Sequence, residues 1–241
     1  MSRLVSVRRA LSRTSWQLTS RTFRHEARAK VFCIGMNKTG TTSLEQLFHD
    51  LGYQVGSQRR GERIFGTSYL SSEWKPLIRL CRSAEFFQDV PFSAPGTFKI
   101  CDSYFPGSKF VLTVRSSADV WWNSLVRFHY QLVRSFGAPP RESGIPTIDD
   151  VKRVNYVRNG WMLDTMRFVW GTPDEDLYNY ERLTSIYLNH NDEVRRHFSA
   201  RPKDFIEIDL SAPEAWPTFS SFMGLEATRF TGFPHLNRSQ A

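Results

Sequence analysis

An α/β fold, with a central parallel sheet flanked by helices, is predicted by three observations. Val31–Met36 is a short apolar run that enters a Gly/Thr-rich turn, as a buried parallel strand does. Lys109–Arg115 (KFVLTVR) is a second such run, in which Phe110, Val111, Leu112 and Val114 leave little room for a solvent face. Each is followed by a stretch whose apolar residues recur at helical spacing, and strands alternating with helices return parallel to one another.

The remaining elements follow in order. Thr42–Leu51 reads as a helix with Leu44, Leu47, Phe48 and Leu51 on one face, ended by Gly52. Tyr53–Val55 reads as a short strand, and 57–68, with Arg59, Arg60, Gly61, Arg63 and Gly66, as a loop near a ligand. Ser72–Arg82 is expected as a helix with Pro76 near its first turn, Glu85–Val90 as a strand stopped by Pro91, and Thr97–Tyr104 as a helix before a turn at Pro106–Gly107. After KFVLTVR, Ala118–Phe136 places Val120, Leu125, Val126 and Val133 at helical spacing, and Gly137–Pro146 is a Pro-rich connection. Ile148–Val169 and Asp176–Phe198 read as one helix each, Phe205–Leu210 (FIEIDL) as the last strand and Ala212–Met223 as the last helix.

The 241 residues suit one large domain, taken as 29–241, behind a basic arm at 1–28. The formal charge of +8 sits in that arm. Residues 1–30 hold eight Lys and Arg against Glu26 alone, which leaves a net charge of about +1 on the rest. A polyanion-binding surface, and hence a nucleic-acid partner, is not expected for the folded body. The arm has no apolar run long enough to span a bilayer. Its Arg- and Ser-rich composition fits a disordered tether, an organelle transit peptide or a surface-lying helix. Cys33, Cys81 and Cys101 are widely spaced and form no CxxC pair, as reduced thiols do in a cytoplasmic protein. The expectation is therefore a cytoplasmic protein, with organelle targeting by the arm as the competing one.

Chemistry concentrates in Gly35-Met-Asn-Lys-Thr-Gly40-Thr-Thr-Ser43. Gly35 and Gly40 have the spacing of the first half of a Walker A loop, but the next position holds Thr41 and the lysine comes early, at Lys38. A strand-to-helix loop of this kind points N–H groups and a positive helix end at an anion, and Thr39, Thr41, Thr42 and Ser43 add hydroxyl donors. The pattern asks for a phosphate-like ligand and speaks against an ordinary NTPase.

FCIGMNKTGTTSL resembles the 5'-phosphosulfate loop of sulfotransferases, which reads K-[ST]-G-[ST]-[ST] after a short strand. VRSSADVWWNSL resembles their 3'-phosphate element, an Arg at a strand end and a Ser on the next helix. Weaker echoes lie in QDVPF (Gln88–Phe92), YLNHNDEVRRHF (Tyr187–Phe198) and FPHLNR (Phe233–Arg238), so that the likeness covers 31–241. It implies a three-layer P-loop-like fold and 3'-phosphoadenosine 5'-phosphosulfate (PAPS) as sulfuryl donor. Lys38, Thr39, Gly40, Thr41, Thr42 and Ser43 are implied to cradle its 5' end, and Arg115 with Ser124 its 3'-phosphate. The Arg-to-Ser spacing is nine where the family has eight, so Asn123 competes with Ser124. The Arg-Lys-Gly nucleotide loop of the cytosolic small-molecule enzymes is missing, with Asn237 and Arg238 as stand-ins.

A sulfuryl group carries less charge than a phosphoryl group, so fixed N–H donors and one lysine suffice, and no metal is expected. The resemblance makes Lys38 and Asp89 the catalytic candidates. Lys38 would cover charge on the leaving phosphate, and Asp89, in the acid-then-Pro segment, would take the acceptor's proton. A turn-capping role for Asp89 competes, and Glu45 is the second choice of base. His49 and His129 read as packed or exposed. His190 and His197, seven apart, lack the partners of a metal site. Two other functions stay open: a P-loop kinase or NTPase, with Asp209 at the end of FIEID holding Mg²⁺, and a nucleotide-binding protein without turnover. The acceptor is a glycan, a small molecule or a lipid.

Overall fold

The structure, a computed structural model, describes residues 28–69, 71–225 and 230–234. The expected arm at 1–28 thus lies almost wholly outside the described residues, as do the stand-ins Asn237 and Arg238.

Four strands form one all-parallel sheet: β1 (Val31–Cys33), β2 (Phe86–Phe87), β3 (Lys109–Thr113) and β4 (Phe205–Ile208), in the order β2-β1-β3-β4. Val31 pairs with both Phe86 and Lys109, and Phe110 pairs with Phe205. Side chains alternate across the pleat. Phe32, Ile34, Phe110 and Leu112 face one core with Phe98, Val194 and Phe198, whereas Val31, Cys33 and Val111 face another with Leu44, Leu47, Phe48 and Phe219. Both faces are covered by helices, which is why the strands read as unbroken apolar runs.

The helices are α1 (Thr41–Asp50), α2 (Gln58–Ile64), α3 (Trp74–Cys81), α4 (Thr97–Tyr104), α5 (Ala118–Ser135), α6 (Ile148–Lys152), α7 (Trp161–Trp170), α8 (Tyr180–Phe198) and α9 (Ala215–Met223). From β1 the chain moves to one side to reach β2, then crosses to the other side to reach β3. The strand order therefore reverses at β1/β3, and the crevice beyond the carboxyl ends of these two strands is where such a sheet binds ligands. A third core, centred on Trp121, Leu125, Met162, Met166 and Tyr187, fixes α5, α7 and α8 around that crevice.

Three expectations need correction. Residues 57–68 are not a loop: Ser57 accepts a hydrogen bond from the Arg60 amide and opens α2, which runs into a π turn at Phe65–Tyr69. The single helix expected at 148–169 is two. A Thr147/Asp150 capping box starts α6, and Gly160, at φ 76°, starts α7 after an Asn155–Asn159 bridge. The 53–55 strand reduces to one bridge, Val55 to Phe86.

Candidate functional site

The turn after β1 is fixed from several directions. The Thr39 hydroxyl lies 2.6 Å from the Met36 carbonyl oxygen and 2.6 Å from the Thr113 hydroxyl. Trp121 Nε1 donates to the Asn37 carbonyl at 2.9 Å, and Arg115 Nε to the Lys38 carbonyl at 2.7 Å. Arg115 is itself held, because its amide donates to the Tyr187 hydroxyl at 2.9 Å while Tyr187 stacks on Trp121. Gly35 must be glycine, since a Cβ there would meet Thr113 Oγ1 at 2.2 Å. Gly40, at φ 101°, starts α1 and offers no side-chain cap, and no acid occupies the first turn. The amides of Thr41 and Thr42 have no hydrogen-bond partner among the described residues, which leaves an uncapped helix N-terminus of the kind that binds anions.

That N-terminus opens on a cavity of about 1050 Å³. Of the predicted donor residues, Lys38, Gly40, Thr41, Thr42, Ser43, Arg115 and Ser124 all line it. Thr39 does not. It is buried, its hydroxyl is spent on Met36 and Thr113, and it shapes the turn. Asn123 is exposed and donates to its own helix at the Asp119 carbonyl, so Ser124 is the one that faces the cavity.

Asp89 lies beside this turn, two residues beyond the end of β2. Asn37 Nδ2, the Val90 amide and Gln58 Nε2 all donate to its carboxylate, the last two at 2.7 and 2.9 Å. Burial raises its pKa above the usual carboxylate value, and the Val90 amide, Asn37 and Lys38 oppose the rise. Lys38 is shifted down by burial, against the pull of Asp89 and with the push of Arg115. Its ammonium rests 3.6 Å from the centre of the Phe128 ring. Lys38 (φ 73°) and Asp89 (φ 60°) are two of the three non-glycine residues with left-handed φ among the described residues. Such backbone costs about 1–3 kcal/mol per residue and persists where the surroundings enforce it, often at working sites.

Among the lining residues not foreseen as site residues are Gln58, Glu62, Tyr156 and His129. Gln58 Nε2 donates to Glu62 Oε1 at 3.1 Å as well as to Asp89, and Tyr156 donates to the same Glu62 oxygen at 3.0 Å. His129 meets the Tyr178 hydroxyl at 3.0 Å, and burial beside Lys38 takes its pKa down to about 3, so its ring is neutral. Glu45 and His49 on α1 do not line the cavity. Asp209, the Mg²⁺ candidate, does not reach it either, and accepts from the Ser211 amide and hydroxyl at 2.9 and 2.6 Å. His190 is buried with Nε2 2.8 Å from the Ile34 carbonyl oxygen, and His197 meets Asp102 at 2.7 Å. These two histidines serve separate contacts. Among the described residues no group of three or more His, Cys, Asp and Glu is arranged to hold a metal, and no helix is long and apolar enough to cross a membrane.

Comparison with known families matches residues 30–241 to the family described as "Sulfotransferase domain". No curated protein matches the chain.

Proposed function

The chain belongs to the sulfotransferase family, and on that premise we propose that it moves a sulfuryl group from PAPS to a hydroxyl or amine of an acceptor, by in-line displacement and without a metal. The observation that carries the donor assignment is the uncapped start of α1. Two partnerless amides, Lys38 and Arg115 converge there on one cavity at the reversal of strand order.

The residues present fit the donor. The amides of Thr41 and Thr42, with the hydroxyls of Thr41–Ser43, suit its 5' end, and Arg115 with Ser124 suits the ribose phosphate. PAPS, when bound, supplies the sulfuryl group and a phosphate leaving group. Lys38 and the helix amides stabilise the charge that grows on that phosphate; they are already in place, so no reorganisation is needed. Asp89 takes the acceptor's proton. Burial raises its proton affinity, which suits a base that must take up the acceptor's proton. The activity is assigned to the cytoplasm, where the three cysteines, all buried and unpaired, stay reduced.

The test is transfer of labelled sulfate from PAPS to pooled acceptors in excess EDTA, alongside a melting comparison. Turnover in EDTA is expected, as is a larger rise in melting temperature with 3',5'-bisphosphoadenosine than with ATP–Mg²⁺. A larger rise with ATP–Mg²⁺ would return the assignment to a kinase.

A further inference from the structure

Besides the α1 N-terminus, the cavity is lined by two carboxylates, Asp89 and Glu62. Gln88 Nε2 donates to Gln58 Oε1 at 3.2 Å, which turns the Gln58 amino group toward both Asp89 and Glu62. From that one nitrogen, Asp89 Oδ2 is 2.9 Å away and Glu62 Oε1 3.1 Å, so the two oxygens are at most about 6 Å apart. Both recorded hydrogen bonds to Glu62 end on Oε1; Oε2 has none among the described residues. Glu62 is 5% exposed and lines the cavity.

The charges there do not balance once the donor is in place. Lys38 and Arg115 face its anionic groups, and Asp89 has an acceptor proton to receive. Glu62 keeps only neutral donors, Gln58 and a Tyr156 hydroxyl whose pKa is pushed up to about 12 and which therefore keeps its proton. Among the described residues Arg59 is the one cation that acts on Glu62, and it acts most weakly. The free Oε2 of this half-desolvated carboxylate is open to a cation entering the cavity. Beside it, one face of α7 contributes Trp161, Met162, Met166, Val169 and Trp170 to the cavity wall, a surface for an apolar or aromatic body.

We infer that the acceptor is an amphipathic amino alcohol, with its hydroxyl at Asp89, its ammonium at Glu62 and its apolar body along α7. This rests on the sulfotransferase reading. The short distance between the two carboxylates admits an acceptor whose hydroxyl and nitrogen are neighbours, two or three carbons apart.

The experiment compares 2-amino-3-phenylpropan-1-ol with 2-methyl-3-phenylpropan-1-ol, which replaces the amine by a methyl group, as acceptors with PAPS. The amino alcohol is expected to show a kcat/KM about 10- to 100-fold higher, the range of a charge-assisted hydrogen bond. Glu62→Gln, checked for folding by its melting curve, should collapse that ratio toward one by raising KM for the amine, and Glu62→Asp should keep part of it. A neutral alcohol that performs as well, or a ratio that survives Glu62→Gln, overturns the inference. If neither compound is turned over, their dissociation constants are measured in the presence of 3',5'-bisphosphoadenosine. Selective binding of the amine that Glu62→Gln removes would keep the acceptor assignment while the transfer reading falls; equal binding would end the acceptor assignment.

Discussion

The two halves of the cavity are built by different means. Where β1 meets α1, main-chain amides work beside Lys38, Arg115 and Ser124, and other side chains (Thr39, Thr113, Trp121, Tyr187) lock the turn. The rest of the cavity is lined by side chains from α2, the segment after β2, the stretch before α7, and α7 itself, with Gln58 joining Asp89 to Glu62. A wall of amides can change its ligand only by rebuilding the turn. A wall of side chains can change it by single substitutions. The donor half is thus expected to be rigid and general, and the acceptor half to carry specificity.

The largest effect that could break this contrast is at Lys38. Lys38→Ala should lower kcat by about 10²- to 10³-fold, the usual cost of removing one preorganised donor from a developing anion, while the melting shift given by bisphosphoadenosine persists. A variant that turns over normally would remove Lys38 from the chemistry and leave the amides alone. Arg115→Ala comes next. Arg115 both faces the cavity and braces the Lys38 carbonyl. A loss of about 10- to 100-fold in bisphosphoadenosine affinity is expected from a charge-assisted contact. Arg115→Lys should restore little, because the Nε–H that holds Lys38 has no counterpart in an ammonium.

The difference in construction also decides what could be read from the chain alone. The turn after β1 was legible as an anion-facing loop because strand, turn and helix are contiguous, and Arg115 was picked out because it follows the long apolar run of β3. The acceptor wall was not. Tyr156 and Glu62 are 94 residues apart, Gln58 and Asp89 are 31 apart, and no local spacing joins them. Gly61 and three arginines made 57–68 look like a loop, yet the Ser57 cap and the packing of Gly61 against Val90 hold it as helix. The choice between Asn123 and Ser124 also needed the orientation of α5. It yields a smaller prediction: Ser124→Ala should weaken bisphosphoadenosine about 2- to 10-fold, as the loss of one neutral hydrogen bond does, and Asn123→Ala should leave affinity unchanged. The reverse result would rotate the 3'-phosphate around the helix.

The acceptor half should betray itself in pH. A base works only when deprotonated, and burial raises the pKa of Asp89. The acid limb of kcat/KM is therefore expected above the ordinary aspartate range, with activity rising as pH rises through it. A limb at the unshifted value would place the base elsewhere.

The smallest effect concerns stability and tests the same wall without any turnover. Burial also raises the Glu62 pKa, with Asp89 adding to the rise and Tyr156, Gln58 and Arg59 opposing it. An acid with a raised folded pKa adds stability in its protonated form, and that contribution is lost as pH rises through the folded value. In the unliganded protein the ionised carboxylate is thus a burden at pH 8 and absent at pH 4. Glu62→Gln keeps an Oε1 acceptor for Gln58 and Tyr156 and removes the charge. It should melt a few degrees higher than the parent at pH 8, with the gap closing by pH 4. A gap independent of pH would mean that the substitution acts through packing, and that Glu62 carries no uncompensated charge for an acceptor to meet.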